Sequence, residues 1–115
     1  MSAKIYDISM YITNELPKIV ITDDIMVTVN NRKSTVLNTQ AMVTEFEKKA
    51  KEKEMEPVDA ERAMMEKSLQ MLVGESGAKK IEDLDLPLPE YRKIYETVMA
   101  AAQGIEPDKI NEQTP

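Results

Sequence analysis

Lys18-Ile-Val-Ile-Thr-Asp-Asp-Ile-Met-Val-Thr-Val-Asn30 holds two β-branched runs on either side of Asp23-Asp24. Residues with two heavy atoms on Cβ favour extended backbone, and two such runs around a polar pair read as a β-hairpin over 18–30. Asp-Asp lacks the glycine that the tightest hairpin turn prefers, which leaves room for a slightly longer loop. Asn30-Asn31 marks the exit. A lone hairpin is marginal in water, so this one must pack on helices or pair with another chain.

Past Ser34 the period changes. Val36, Thr39, Val43, Phe46 and Ala50 recur at spacings of three and four, one apolar stripe of a helix over about 35–55, with Ser34 or Thr35 as cap. Its far end is a charge run in which Glu47–Lys51 and Lys48–Glu52 stand four apart, the spacing of ion pairs on a solvated helix. Pro57 suits the first position of a second helix over about 58–73, with Val58, Met65, Leu69 and Leu72 as core stripe and Gly74 as stop. A third helix is expected over 76–84 with Ile81 and Leu84 inward. Leu86-Pro-Leu-Pro89 forces an extended elbow. The last helix, about 89–103, turns Tyr91, Ile94, Tyr95, Val98 and Ala102 to one face and ends at Gly104. Upstream, residues 4–16 carry helix-like apolar spacing in strand-forming residues and read as a short helical or irregular segment; 105–115 reads as a flexible tail.

The expected fold is therefore α+β and predominantly α-helical: a hairpin followed by about four helices in one small domain, 1–104. At 115 residues and 42% hydrophobic the chain can bury a single core. It carries 15 basic and 21 acidic residues, a net charge of −6, which disfavours nucleic-acid backbones and anionic membrane surfaces as partners. No apolar run approaches the length of a membrane span, and Met1-Ser-Ala-Lys4 begins no secretory signal, so the expected location is the cytoplasm.

The chain has no His and no Cys. That removes the commonest general base, thiol nucleophiles, disulfides and cysteine-based zinc sites. Asp23-Asp24 diverge on a turn, and Glu82, Asp83 and Asp85 have no metal-binding spacing. Gly74-Glu-Ser-Gly77 is too short for a phosphate loop. No catalytic, cofactor or metal site is expected, and a binding protein is. Nine methionines are the compositional oddity. Met64, Met65 and Met71 share one helix, either as core filling or as an adaptable apolar surface. Met64 and Met65 diverge by about 100°, so burying both needs cover over a wide arc, which favours a second protein chain. The candidate partner-binding residues are these three together with Lys48, Lys51 and Glu52. An exposed hairpin edge and the methionine helix also leave self-association open.

Read in order, several segments resemble the tail assembly chaperones of long-tailed phages, in the form found in phages and prophages of Gram-positive bacteria. They are Lys4-Ile-Tyr-Asp-Ile-Ser9, the stretch 16–33 running into Thr35-Val-Leu-Asn38, then Met71-Leu-Val-Gly74, 81–86 and the tyrosine-rich 89–104. The resemblance implies a non-enzymatic factor that acts during tail morphogenesis and is absent from the virion. Its clients would be the tape measure protein and the tail tube protein. It further implies the shorter of two products that such phages often make by frameshifting. Two other readings stay open: an acidic inhibitor or antitoxin, and a small structural tail component.

Overall fold

A computed structural model describes residues 3–105. Its elements are a 3-10 turn (Ser9–Tyr11), strands β1 (Lys18–Thr22) and β2 (Ile25–Thr28), and helices α1 (Lys33–Lys51), α2 (Pro57–Asp83) and α3 (Leu88–Ala102). The chain is mostly helical, with a two-stranded antiparallel hairpin ahead of three helices. The expected flexible tail, Ile105 excepted, lies outside the described residues.

The strands pair as expected, with Ile19 opposite Val27 and Val20 opposite Met26. Alternation puts Ile19, Ile21, Val27 and Val29 on the packed face and Val20 and Met26 on the open one. Asp23 and Asp24 keep negative φ, so the turn is not the mirror-image type that matches strand twist. An irregularity between Val20 and Thr22 absorbs the mismatch.

About four helices were expected, and three form among the described residues. The segments 58–73 and 76–84 are one element, α2, with a break at Gly74 (φ 80°, ψ 164°). That conformation is open essentially to glycine alone, so the stop acts as a bend instead. The bend has a partner: the Leu72 carbonyl accepts the Asn30 amide at 2.7 Å. The hairpin exit is thereby fixed to the middle of α2.

Other boundaries shift for local reasons. Neither Ser34 nor Thr35 caps α1; Arg32 holds that position without a side-chain bond, and Asn30 Oδ1 accepts the Arg32 amide at 3.0 Å. Because Asn30 is anchored on Leu72, the chain turns into helix at once. At the other end α1 stops at Lys51, not 55. Lys53 takes φ 61°, and the Glu54 amide bonds the Lys49 carbonyl at 2.9 Å, a reversal in which glycine is usual. The expected pairs Glu47–Lys51 and Lys48–Glu52 are not among the ion pairs described, which are Arg62–Glu66, Lys79–Asp83 and Arg92–Glu61. The Lys49 and Lys67 ammoniums instead both sit 5.5 Å from the centre of the Phe46 ring. α3 ends as its sequence predicts: Gly104 has φ 79°, and the Ile105 amide reaches the Ala100 carbonyl at 2.8 Å.

α1, α3 and β2 all pack on α2. The core comprises Val27, Val29, Leu69, Leu72, Ala78, Ile81, Val98, Ala101 and Ala102. Val58, expected in the core stripe, is 74% exposed. The arc of α2 that carries the methionines is largely covered within the chain: Met65 is buried, and Met64 and Met71 are half-buried, which leaves part of the arc open.

Two buried hydroxyls meet different fates. Thr39 Oγ1 donates to the Thr35 carbonyl at 2.7 Å and lies 3.9 Å from the Met71 sulfur. Ser68 Oγ is enclosed without a hydrogen bond of good geometry, and the Tyr95 phenol, whose pKa burial raises, lies close enough for the serine to lower it in part. An unpaired buried hydroxyl costs free energy and serine is a weaker helix former than alanine. Ser68→Ala is therefore expected to leave stability unchanged or raise it by about 1 kcal/mol in urea denaturation. A loss above about 1 kcal/mol would mean that the hydroxyl is bonded after all.

Candidate functional site

The bend at Gly74 folds the second part of α2 back beside the first. In an unbroken helix Arg62 and Ile81 would lie about 28 Å apart. Here both line one groove of about 620 Å³, with the elbow and the start of α3 completing its wall. Val58, Met65, Ile81, Leu86 and Leu88 supply its apolar surface. Asp59, Glu61, Glu66, Glu82 and Asp85 stand around it against two cations, Arg62 and Arg92.

Both guanidiniums are already engaged. Arg62 Nε meets Glu66 Oε1 at 2.8 Å, and Arg92 Nη2 meets Glu61 Oε1 at 2.5 Å, tying α3 to α2. The Tyr91 hydroxyl donates to Glu82 Oε1 at 2.6 Å, which closes the groove on its elbow side. Partial burial, and then the bond to Glu82, hold the Tyr91 phenol above its ordinary value; burial raises that of Tyr95 as well. A raised phenol stabilises the fold below the unfolded value of about 10, and that contribution is lost as pH rises beyond it. Tyr91→Phe is accordingly expected to flatten the fall of Tm between about pH 9.5 and 11 and to remove a late-titrating phenol from the ultraviolet titration. Loss of a phenol titrating near the ordinary value of about 10, with the late step kept, would show that Tyr91 is not the perturbed group.

The predicted binding residues do not form one surface. Met65 reaches the groove floor from a buried position. Met64 faces a separate hollow of about 210 Å³ with Phe46, Ala50 and Pro57, between the end of α1 and the start of α2. Met71 lies near Thr39, farther along α2. Lys48, Lys51 and Glu52 are exposed at the end of α1 and line neither cavity. Sequence reasoning missed the groove because its two walls are 15 or more residues apart, though Val58 and Leu88 beside prolines were a usable signal: a helix start has few neighbours to bury it.

A second apolar surface lies in 4–16, read from sequence as local structure only. Ile5, Tyr6, Met10 and Tyr11 are 88%, 78%, 82% and 81% exposed, and Ile8 and Ile12 are also open. Its contacts are chiefly local: Asp7 accepts the Ser9 amide at 2.9 Å, and that bond lowers the Asp7 pKa. Asn14 (φ 57°) accepts a hydrogen bond from the Arg32 guanidinium, which holds the base of this arm at the start of α1.

Among the described residues no helix is long and apolar enough to cross a membrane, and no cluster of three or more metal-ligating side chains occurs. Comparison with protein-family models, curated proteins and solved structures produced no match.

Proposed function

We propose that this protein is a non-enzymatic tail assembly chaperone of a phage or prophage, acting in the bacterial cytoplasm on the tape measure protein and the tail tube protein. The observation that carries the reading is the groove: an apolar concavity ringed by carboxylates, on a chain whose net charge keeps it soluble. Its size falls within the range of about 300–1,000 Å³ typical of sites that bury most of a ligand. An amphipathic client helix would lay apolar side chains over Val58 and Leu88 and place Lys or Arg against the surrounding acids. Hydrophobic contact of this kind is modest per copy and accumulates over many copies along a long client.

Co-expression tests it. The parent chain is expected to raise the soluble fraction of the cognate tape measure protein several-fold. Val58→Asp and Leu88→Asp, both at exposed positions, are expected to abolish that gain while the circular dichroism stays as in the parent. No rescue by the parent would sink the proposal. Rescue that survives both substitutions would place the client elsewhere. An acidic inhibitor of a basic partner would instead lose binding steeply as salt rises.

A further inference from the structure

The groove and the base of the exposed arm lie toward opposite ends of the first part of α2. The arm is held at its base by the bond between Asn14 and Arg32, two residues beyond the Asn30 amide that docks on Leu72. From Leu72 back to Val58 is about 21 Å along the helix. Residues 5–12 are exposed throughout, so they do not fill the groove of their own chain.

The six large apolar residues of the arm expose on the order of 1,000 Å², comparable to the roughly 800 Å² that each partner contributes to a standard protein interface. Six large apolar side chains open within eight residues are more than a monomer ordinarily leaves in water. Ile5, Ile8 and Ile12 stand at i, i+3 and i+7, the anchor spacing of a helix that lies in a groove. Lys4 begins the segment and would bring a cation to a groove with five carboxylates and two already paired arginines. The Asp7 carboxylate is engaged by the Ser9 amide.

We propose that residues 5–12 of one copy dock, as a helical turn or two, in the α2–α3 groove of a second copy. The contact is head-to-tail, because arm and groove are different surfaces of the chain. Such contacts close into a ring or extend into a filament. The groove and the Ile5, Ile8 and Ile12 face of the arm are then covered in the absence of a client, and a client helix must displace an arm to enter. This proposal shares the groove with the client reading but does not require the client.

The chain has no cysteine, so introduced pairs report cleanly. Ile8→Cys and Val58→Cys variants would be mixed and oxidised, with Ile8→Cys plus Val20→Cys as a control on the open hairpin face. A disulfide needs Cα atoms within about 7 Å, so the first mixture is expected to give at least tenfold more heterodimer than the control. Removing residues 3–13 is expected to convert a concentration-dependent oligomer, followed by light scattering, into a monomer with unchanged circular dichroism. Equal yields in the two mixtures would overturn the assignment, and so would a parent chain that is monomeric at several hundred micromolar. A monomeric cross-link in the Ile8→Cys/Val58→Cys double variant, without heterodimer in the mixture, would place the arm in its own groove and equally overturn it. A positive cross-link with failed client rescue would leave this contact standing and remove the chaperone reading.

Discussion

Gly74→Ala is expected to cost about 3 kcal/mol, and to do so without a steric clash. A Cβ built at Gly74 meets no atom within 4 Å. The cost lies in the backbone, since φ 80° with ψ 164° is a region that an L-residue with a side chain hardly enters. The variant can relieve the strain by straightening α2, at the expense of the Leu72–Asn30 bond and of the groove, whose walls come from both sides of the bend. Three readouts should therefore move together. Stability falls by about 3 kcal/mol in urea, the Asn30 amide loses hydrogen-exchange protection, and any groove-dependent cross-link disappears. A loss under about 0.5 kcal/mol with exchange unchanged would show that the bend is not conformationally demanding.

Leu72→Ala should be at least as damaging, for a different reason. Leu72 is 1% exposed and shares its surroundings with Val36, Thr39, Met99 and Ala102, where α1, α2 and α3 converge. Truncating a buried leucine typically costs about 2–5 kcal/mol, and the upper part of that range applies where neighbours cannot collapse inward. Here the hairpin exit is bonded to the Leu72 carbonyl, which restrains the local backbone. We expect about 4 kcal/mol by urea denaturation, a large share of the 5–15 kcal/mol that a domain of this size commands. A loss below about 1.5 kcal/mol would mean that the three helices repack freely around the gap. Combined with Gly74→Ala the effect should fall short of additive, because both substitutions weaken the same attachment.

Much of this architecture was legible from residue types alone. β-branched runs around Asp23-Asp24 gave the hairpin, and Pro57, Leu86-Pro87-Leu88-Pro89 and Gly104 marked helix ends where they occur. Those signals are local: a fixed φ, a missing amide or a missing Cβ acts on its own few residues. Where the outcome depended on what the residue touched, the local reading went astray. Lys53 ends α1 in a conformation for which glycine is usual, and Ser34 is passed over as a cap because the hairpin exit is anchored elsewhere. Val58 keeps apolar spacing yet stays in water, since the start of a helix has no neighbour on that side.

The site was less legible than the fold. Met64, Met65 and Met71 were rightly singled out as occupying a wide arc of one helix. The chain covers most of that arc with α1, α3 and the hairpin, so only Met65 reaches the groove and only from beneath. By itself the sequence determined the elements, the acidity and the absence of cysteine and histidine, because these depend on residue identity and near neighbours. That Gly74 is a bend rather than an end was decided by tertiary structure, and so was the groove it creates. Bringing Ile81 beside Met65, and leaving Ile5 to Ile12 uncovered, depends on which distant surfaces win the competition for burial.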